Sequence, residues 1–531
     1  MKKERSKKYR LLQALRILSQ WAFFGLFLFL LTRTRFTGED VIGPVERFFH
    51  FDPLLGLVAT IAGRVFFAAF AWAGVTVLLT LVLGRVVCGW VCPLGGLHQF
   101  FSFLFKKARL HRPKAAPAAP LKWKYYILIF ILAGSLFGLN LAGWLDPLSF
   151  LYRSFTTAVF PALGHAATGL IKLLYLLKLS GPAGTIGQFF ESLTINPVYI
   201  QGFFIGGLLL AAVLLNLVRE RFWCRVLCPA GALLGLLSAG NVFKLKIDRS
   251  KCIDCGLCNL QCQTQASPFP DGDWKRAECV YCFTCGAVCP TAAIGFPARD
   301  VPRKEKRVSL DRRKIIWTPI AALAALPLFR INPAGRRAAA SLLRPPGALP
   351  EPRFLARCVK CGECMKACPT GGLQPALGEA GPEGLWTPRL VPRVGYCEYY
   401  CSLCSQVCPT GAIKELTVEE KLKVKIGTAW VDKNRCLPYA LGKPCIVCEE
   451  HCPTSPKAIK LVDNPALLPD GKVSVQKAPS VDTALCIGCG ICENKCPVVD
   501  RPAIYCTSIG EQRSETNRLL LDFLDSEPGS Y

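Results

Sequence analysis

The sequence predicts a membrane α-helical bundle of four to five transmembrane helices joined to small α+β modules built round cysteine quartets. Three observations carry that reading. Mean hydropathy is positive and only 19% of residues are charged, which places part of the chain in lipid. Of 29 cysteines, 28 fall into closely spaced pairs or quartets, leaving only Cys506 over. The apolar half also repeats its own pattern. At 531 residues the chain has room for a transmembrane domain (1–240), a two-cluster domain (241–300), a linker (301–350) and a four-cluster domain (351–531).

Four apolar stretches approach the length of a hydrocarbon core: Ile17 to Thr32, Val65 to Gly84, Tyr125 to Leu145 and Ile200 to Val218. Basic flanks set their direction. Lys2, Lys3, Arg5, Lys7, Lys8 and Arg10, then Arg85 with Lys106, Lys107, Arg109, Arg112 and Lys114, then Arg219, Arg221 and Arg225 all belong on the cytoplasmic face, and four crossings satisfy the three groups together. The apolar stretch Thr156 to Leu179 is interrupted by Lys172 and Lys178, and reads as an interfacial or re-entrant helix on the outer face.

The repeat pairs Phe51-Asp52-Pro53-Leu54 with Leu145-Asp146-Pro147-Leu148. It likewise pairs Cys88-Gly89-Trp90-Val91-Cys92-Pro93-Leu94-Gly95 with Trp223-Cys224-Arg225-Val226-Leu227-Cys228-Pro229-Ala230-Gly231. Both C-x3-C-P pairs fall where a helix leaves the membrane on the cytoplasmic side. Repeats in membrane proteins often place a functional site at their interface. Two readings stay open: a structural thiol pair or disulfide within each helix end, or convergence of Cys88, Cys92, Cys224 and Cys228 on one extra metal or redox site.

Six quartets follow. Cys252, Cys255, Cys258, Cys262 and Cys279, Cys282, Cys285, Cys289 have the spacing of a bacterial two-cluster ferredoxin, in which three close thiolates hold one cluster and the fourth crosses to its neighbour. The expected sets are therefore Cys252, Cys255, Cys258 with Cys289, and Cys279, Cys282, Cys285 with Cys262. Gln263 stands where proline usually follows the fourth cysteine. Beyond the linker come Cys358, Cys361, Cys364, Cys368; Cys397, Cys401, Cys404, Cys408; Cys436, Cys445, Cys448, Cys452; and Cys486, Cys489, Cys492, Cys496, each ending in Cys-Pro. Wider first gaps in the second and third of these leave the C-x2-C-x3-C-P core intact. Sequence alone does not say which of the four exchange their last cysteine. The modules are ferredoxin-like, six 4Fe-4S clusters are the expected cofactors, and Cys506 reads as a buried thiol. Repeated quartets in a long chain favour cluster ligation over disulfides.

Composition also excludes. A formal charge of +27 raises nucleic acid as a partner, but the excess flanks apolar spans and no nucleic-acid motif accompanies it. No C-x-x-C-H marks a c-type haem. Of the five histidines, His50, His98, His111, His165 and His451, none lies inside an expected span; His98 and His111 flank the first C-x3-C-P loop and read as surface residues able to handle protons.

In the linker, Arg312-Arg313-Lys314 precedes an apolar run from Ile315 to Phe329, broken by Pro319 and Pro327. A twin arginine before such a run is similar to an export signal, here internal. A fifth crossing would carry the last four clusters outward; the other reading, favoured by Arg330, Arg336 and Arg337, is a cytoplasmic interdomain helix.

With those motifs in view, residues up to about 300 resemble the NapH-type membrane subunit of the periplasmic nitrate reductase quinol dehydrogenase, related to nitrous-oxide regulator and copper-oxidase accessory polyferredoxins. Residues from about 305 onward resemble the exported NapG/MauM ferredoxins. The resemblance implies a fusion of the two, with quinol as substrate, the membrane and its quinone pool as partners, and a c-type cytochrome or periplasmic reductase as acceptor. It implies a multi-pass protein of the bacterial inner membrane with its C-terminal cluster domain in the periplasm. The fusion itself and the imperfect twin-arginine motif depart from the family pattern. Three functions compete: an electron carrier or quinol dehydrogenase component, a redox biogenesis factor for metalloenzyme maturation, and a redox sensor or scaffold whose clusters only hold the fold.

Overall fold

Apolar residues run from Ile17 to Leu31 without a proline, and the chain folds there into one uninterrupted helix, Lys2–Arg33. The structure is a computed structural model that describes residues 2–34, 46–108, 122–179, 198–266, 274–297, 310–330, 340–467 and 473–514, with isolated positions between them. Arg109, His111, Arg112 and Lys114 of the first basic loop, and Arg336 and Arg337 of the linker, lie outside the described residues. The chain divides into two units. One comprises Met1–Thr32, Val45–Ser154 and Phe204–Leu326; the other comprises Arg33–Pro44, Phe155–Phe203 and Pro327–Tyr531.

The first unit is helical, and four of its helices begin in the same way. Asp52, Cys92, Asp146 and Cys228 each stand just before a proline that opens a helix: Pro53–Gly63, Pro93–Lys107, Pro147–Ser154 and Pro229–Leu237. Proline suits the first helical turn because its missing N–H has no intrahelical partner to lose. Asp52 Oδ1 accepts from the N–H of Leu54 at 2.8 Å and of Leu55 at 3.2 Å, and Asp146 Oδ2 from Leu148 at 3.0 Å and Ser149 at 2.9 Å. The repeat read from sequence is thus a repeat of helix starts. Its helices cross-pack, Pro93–Lys107 against Pro147–Ser154 and Pro229–Leu237 against Pro53–Gly63.

Two helices among the described residues are long and apolar enough to cross a membrane, Lys7–Arg33 and Pro147–Leu176. The second absorbs most of Thr156 to Leu179, which was expected to be a separate interfacial helix. The other expected spans are shorter. Val65 to Gly84 yields Ala68–Leu83, and Ile200 to Val218 yields Gly202–Leu217. Tyr125 to Leu145 yields Trp123–Ser135, a turn through Gly138 at φ +82°, and the short Ala142–Leu145 helix. The linker run lies in a helix from Arg312 to Arg330, prolines included.

The first cluster module belongs to the first unit. Strands β1 (Lys246–Ile247) and β2 (Ile294–Gly295) pair antiparallel beside a core of Leu245, Ala266, Trp274, Tyr281 and Ile294. In the second unit β3 (Leu373–Pro375) pairs with β4 (Pro388–Leu390), and β5 (Thr428–Val431) with β8 (Ile504–Thr507). Between them a nine-residue hairpin, β6 (Ile459–Leu467) with β7 (Val473–Val481), is inserted between the last two quartets. Phe354, Met365 and Leu403 are fully buried. Arg344 is buried with them because Glu351 (2.5 Å), Thr387 Oγ1 (2.8 Å) and the Pro388 carbonyl (2.7 Å) take up its donors.

Candidate metal centres

Each quartet is built the same way. The third cysteine lies on a one-turn helix: Cys258 on Leu257–Leu260, Cys285 on Thr284–Val288, Cys364 on Glu363–Ala367, Cys404 on Leu403–Gln406, Cys448 on Val447–Glu450 and Cys492 on Ile491–Lys495. Where the first gap is two residues, the residue after the second cysteine is left-handed: Gly256 (φ +68°), Phe283 (+56°), Gly362 (+91°) and Gly490 (+81°). Glycine fills three of these four places because only it enters that region without cost. Where the first gap is wider, Ser402 and Ile446 take φ −121° instead. The longer loop therefore removes the strain and leaves the helix start in place.

The fourth cysteine crosses to the neighbouring quartet in all three modules. A cavity of about 350 Å³ is lined by Cys252, Cys255, Cys258 and Cys289, and its neighbour of about 380 Å³ by Cys262, Cys279, Cys282 and Cys285. In the last module Cys436, Cys445 and Cys448 share a cavity of about 360 Å³ with Cys496, while Cys486, Cys489 and Cys492 share one of about 330 Å³ with Cys452. In the middle module Cys358, Cys361 and Cys364 lie within electrostatic reach of Cys408, and Cys397, Cys401 and Cys404 within reach of Cys368. The exchange that sequence left open in the C-terminal half thus runs between adjacent quartets in both modules.

These walls fit an iron-sulfur cluster. Apolar burial pushes the Cys397 and Cys436 thiols up to about 11 and Cys448 to about 12, so the sites favour thiolate only when a cationic centre is bound to it. Backbone N–H groups stand ready for the sulfur charge: Ala266 donates to Cys262 Sγ at 3.3 Å, Ala293 to Cys289 at 3.3 Å and Ile413 to Cys408 at 3.4 Å. The threonine two residues after the last ligand brings its hydroxyl to the same sulfur, at 3.5 Å for Thr370 and 3.4 Å for Thr454. Among the described residues no three thiols, carboxylates or imidazoles close on a single point as they would round one bare ion.

The four C-x3-C-P cysteines also come together. Cys92 is within electrostatic reach of Cys224 and Cys88, and Cys228 of all three others. Cys228 Sγ accepts the Gly231 N–H at 3.2 Å, capping its own helix. Buried cations face the group: Arg85 Nη2 lies 3.9 Å from Cys88 Sγ, and Arg221 and Lys124 act on Cys224 along with Arg85. Arg85 and Lys124 share one carboxylate, Glu278, at 3.3 and 2.5 Å, and Tyr125 donates to it at 3.1 Å.

Glu278 immediately precedes Cys279, so this ion pair ties the cysteine centre to the neighbouring cluster cavity. The contact is close along its length. Arg85 donates to the Ala277 carbonyl at 2.7 Å and Trp90 Nε1 to the Tyr281 carbonyl at 3.1 Å. A Cβ at Gly89 would sit 2.5 Å from the Val280 oxygen, so only glycine fits there.

Sequence reasoning missed some of this. Glu278 carries no motif, and only its place beside a ligand marks it. Cys506 is buried as expected, yet it lines the cavity of Cys486, Cys489 and Cys492, a place set by β8 register rather than by spacing. His98 was expected at the surface. It is fully buried on the Pro93–Lys107 helix, its Nδ1 2.7 Å from Asn216, because the basic loop begins further along the chain.

Comparison with known proteins agrees with this geometry. A model described as a 4Fe-4S binding domain matches residues 65–111 and 201–250, the two C-x3-C-P halves. A 4Fe-4S dicluster domain matches 357–412, and a further 4Fe-4S binding domain 479–499. The methylamine utilization ferredoxin-type protein MauM of Methylorubrum extorquens is 38% identical over 142 residues, covering 26% of this chain and 63% of the relative. Ferredoxin-type protein NapH of Haemophilus influenzae is 32% identical over 194 residues, 36% of this chain and 52% of the relative; that of Escherichia coli is 29% identical over 218 residues, 40% and 59%. The chain thus spans roughly half to two thirds of these relatives' lengths. No solved structure matches it. Iron-sulfur domains in both halves, with relatives of both kinds, support a NapH/MauM-type polyferredoxin.

Proposed function

We propose that this electron-transfer protein is held in the bacterial inner membrane, takes electrons from quinol and delivers them through six 4Fe-4S clusters to a periplasmic reductase or c-type cytochrome. The observation that carries the reading is the crossing of the fourth cysteine in three successive modules, which pairs the six quartets into three two-cluster units. Bound clusters would supply one-electron acceptors. The protein's part is to hold them in dry, thiol-lined pockets with N–H groups aimed at sulfur. Membranes holding the protein should show cluster reduction by a hydroquinone analogue; reduction by dithionite alone would remove quinol from the reading. Iron near 24 atoms per chain is expected from four per quartet, and a value near eight would end the six-cluster reading.

Membrane placement is supported by apolar side chains left bare on the helices, among them Leu18, Leu78, Phe203 and Leu210. Four crossings, with Arg312–Arg330 as a fifth, remain the arrangement that the basic flanks favour. An outward C-terminal domain draws support from the segment before the Gly202–Leu217 helix, which charge places outside. There Tyr199 donates to the Met365 carbonyl at 3.1 Å and Gln201 to the Pro375 carbonyl at 2.7 Å. A reporter active only outside the membrane should work when fused after Tyr531 and be silent after Pro302. Silence at both positions would sink the periplasmic placement.

The C-x3-C-P centre belongs to this reading as a further redox site. Arg85, Arg221 and Lys124 against the single carboxylate of Glu278 leave a buried positive surplus, which a thiolate-ligated cluster would offset and a neutral disulfide would not. The same convergence favours, as a second reading, a biogenesis factor working through these thiols. Loss of maturation of a partner enzyme with quinol reduction intact would select it.

A further inference from the structure

The two aspartates of the repeat meet. Asp52 and Asp146 come from separate halves of the chain, yet their carboxyls are in side-chain contact, both buried and Asp146 with no exposure at all. One oxygen of each caps its own helix. The remaining oxygen of Asp146, Oδ1, is buried, and the side chains that act on this carboxyl at close range are those of Asp52 and Ser149, neither of them a cation. Two carboxylates in contact, out of water and without a cation, cannot both be ionised.

We infer that Asp52 and Asp146 hold one proton between them, and that this pair is a proton-accepting site serving the redox chemistry of the four C-x3-C-P cysteines. The second half rests on reading those cysteines as a redox centre. Cys92, at the start of the helix packed on Pro147–Ser154, is the redox-capable group within electrostatic reach of Asp146. Around the pair the other titratable groups are engaged. Lys124 and Tyr125 bind Glu278, Arg153 donates to the Gly143 carbonyl at 3.1 Å, His50 lies against the Phe70 ring, His98 against Asn216, and Cys228 caps its own helix. When the centre gains an electron from quinol, or from dithionite in a test, the half-protonated pair takes one proton from water and forms one O–H bond. When the electron leaves, that proton is released. The added charges cancel, which makes the electron cheaper to accept in a site of low dielectric.

The lengthwise order of the sites fits such a role. On the Lys2–Arg33 helix, Gln20 Nε2 donates to the Gly89 carbonyl at 2.6 Å in the cysteine loop, while Phe27 packs edge-on against Tyr152 in the helix that Asp146 begins. That separation is about 10 Å of helix rise.

Asparagine caps a helix about as well as aspartate, so Asp52→Asn and Asp146→Asn keep the structural role and delete the shared proton. In the full-length protein in mildly alkaline buffer, the infrared band of a protonated carboxyl, amounting to one acid per chain, should be lost in both variants at unchanged iron content. Proton uptake on dithionite reduction, followed with an indicator dye, should fall by about one per chain in either variant. No band difference from the unaltered protein would overturn the shared proton. A band difference with equal proton uptake would overturn its link to the cysteines. Neither measurement uses quinol, so a failure of quinol to reduce the chain would count against the proposed donor alone.

Discussion

Three ligands of the Cys486 quartet come from one loop and the helix it opens, whereas Cys88, Cys92, Cys224 and Cys228 are drawn from halves of the chain more than a hundred residues apart. The ferredoxin-like sets are local: spacing, a left-handed residue and a one-turn helix place three thiols before any long-range contact forms. The C-x3-C-P set exists only once the two repeats have packed. Local sets can be read from a motif and lost one cysteine at a time. An assembled set depends on everything that holds the repeats together, including charges that bear no motif.

The largest effect tests the assembled set. Cys92→Ser with Cys228→Ser should abolish cluster reduction by quinol and leave dithionite reduction, and the iron of the six quartets, in place. Unchanged quinol reduction would make the four cysteines structural and erase the contrast. Next comes crossed ligation. Cys289→Ser should remove about one cluster's iron, and the signal lost by electron paramagnetic resonance should match that lost in Cys255→Ser, not in Cys282→Ser, because Cys289 shares its cavity with Cys255. A match with Cys282→Ser would undo the exchange.

Glu278→Gln separates the two kinds of site. It leaves Arg85 and Lys124 buried without a counter-charge, a loss of about 3–5 kcal/mol in comparable cases. A marked fall in thermal stability in detergent is expected, with the C-terminal clusters unaffected. The smallest effect concerns the C-terminal unit. Burial opposes ionisation of Glu351, but Arg344 and Arg513 outweigh it and hold the carboxyl down to about 2. A depressed carboxyl stabilises the fold above its ordinary value of 4.5, and that contribution is lost as pH falls towards 2. Glu351→Gln should therefore lower stability at neutral pH, where that contribution is fully present, and flatten the acid limb of the profile; an unchanged acid limb would show that another group sets it.

What was legible in the sequence follows the same division. Quartet spacing marked all six local sets, and the crossed sets expected for Cys252 to Cys289 are the ones that line its two cavities. The exchange in the C-terminal half had to wait for the fold, because four quartets in a row allow more than one pairing. In the N-terminal helical half, hydropathy found the apolar stretches but not their breaks. A run such as Tyr125 to Leu145 is apolar throughout, and the turn at Gly138 is a backbone event that hydropathy does not register. The Asp-Pro repeat was visible as letters. That its two carboxyls touch depends on how the Pro53 and Pro147 helices cross, which no periodicity encodes.

The Lys2–Arg33 helix sets an order of events for the growing chain. Gln20 and Phe27 find their partners in the helices that follow, but Tyr9 waits for the first module: it packs against Phe283 and Phe296, and its ring covers Gly286 so closely that a Cβ there would lie 2.8 Å away. Until the first module has been made, the Tyr9 end of this helix lacks these partners. Once docked, it covers one side of that module. A tag at the start of this helix that blocks docking would therefore bare the Phe283 and Phe296 side of the module.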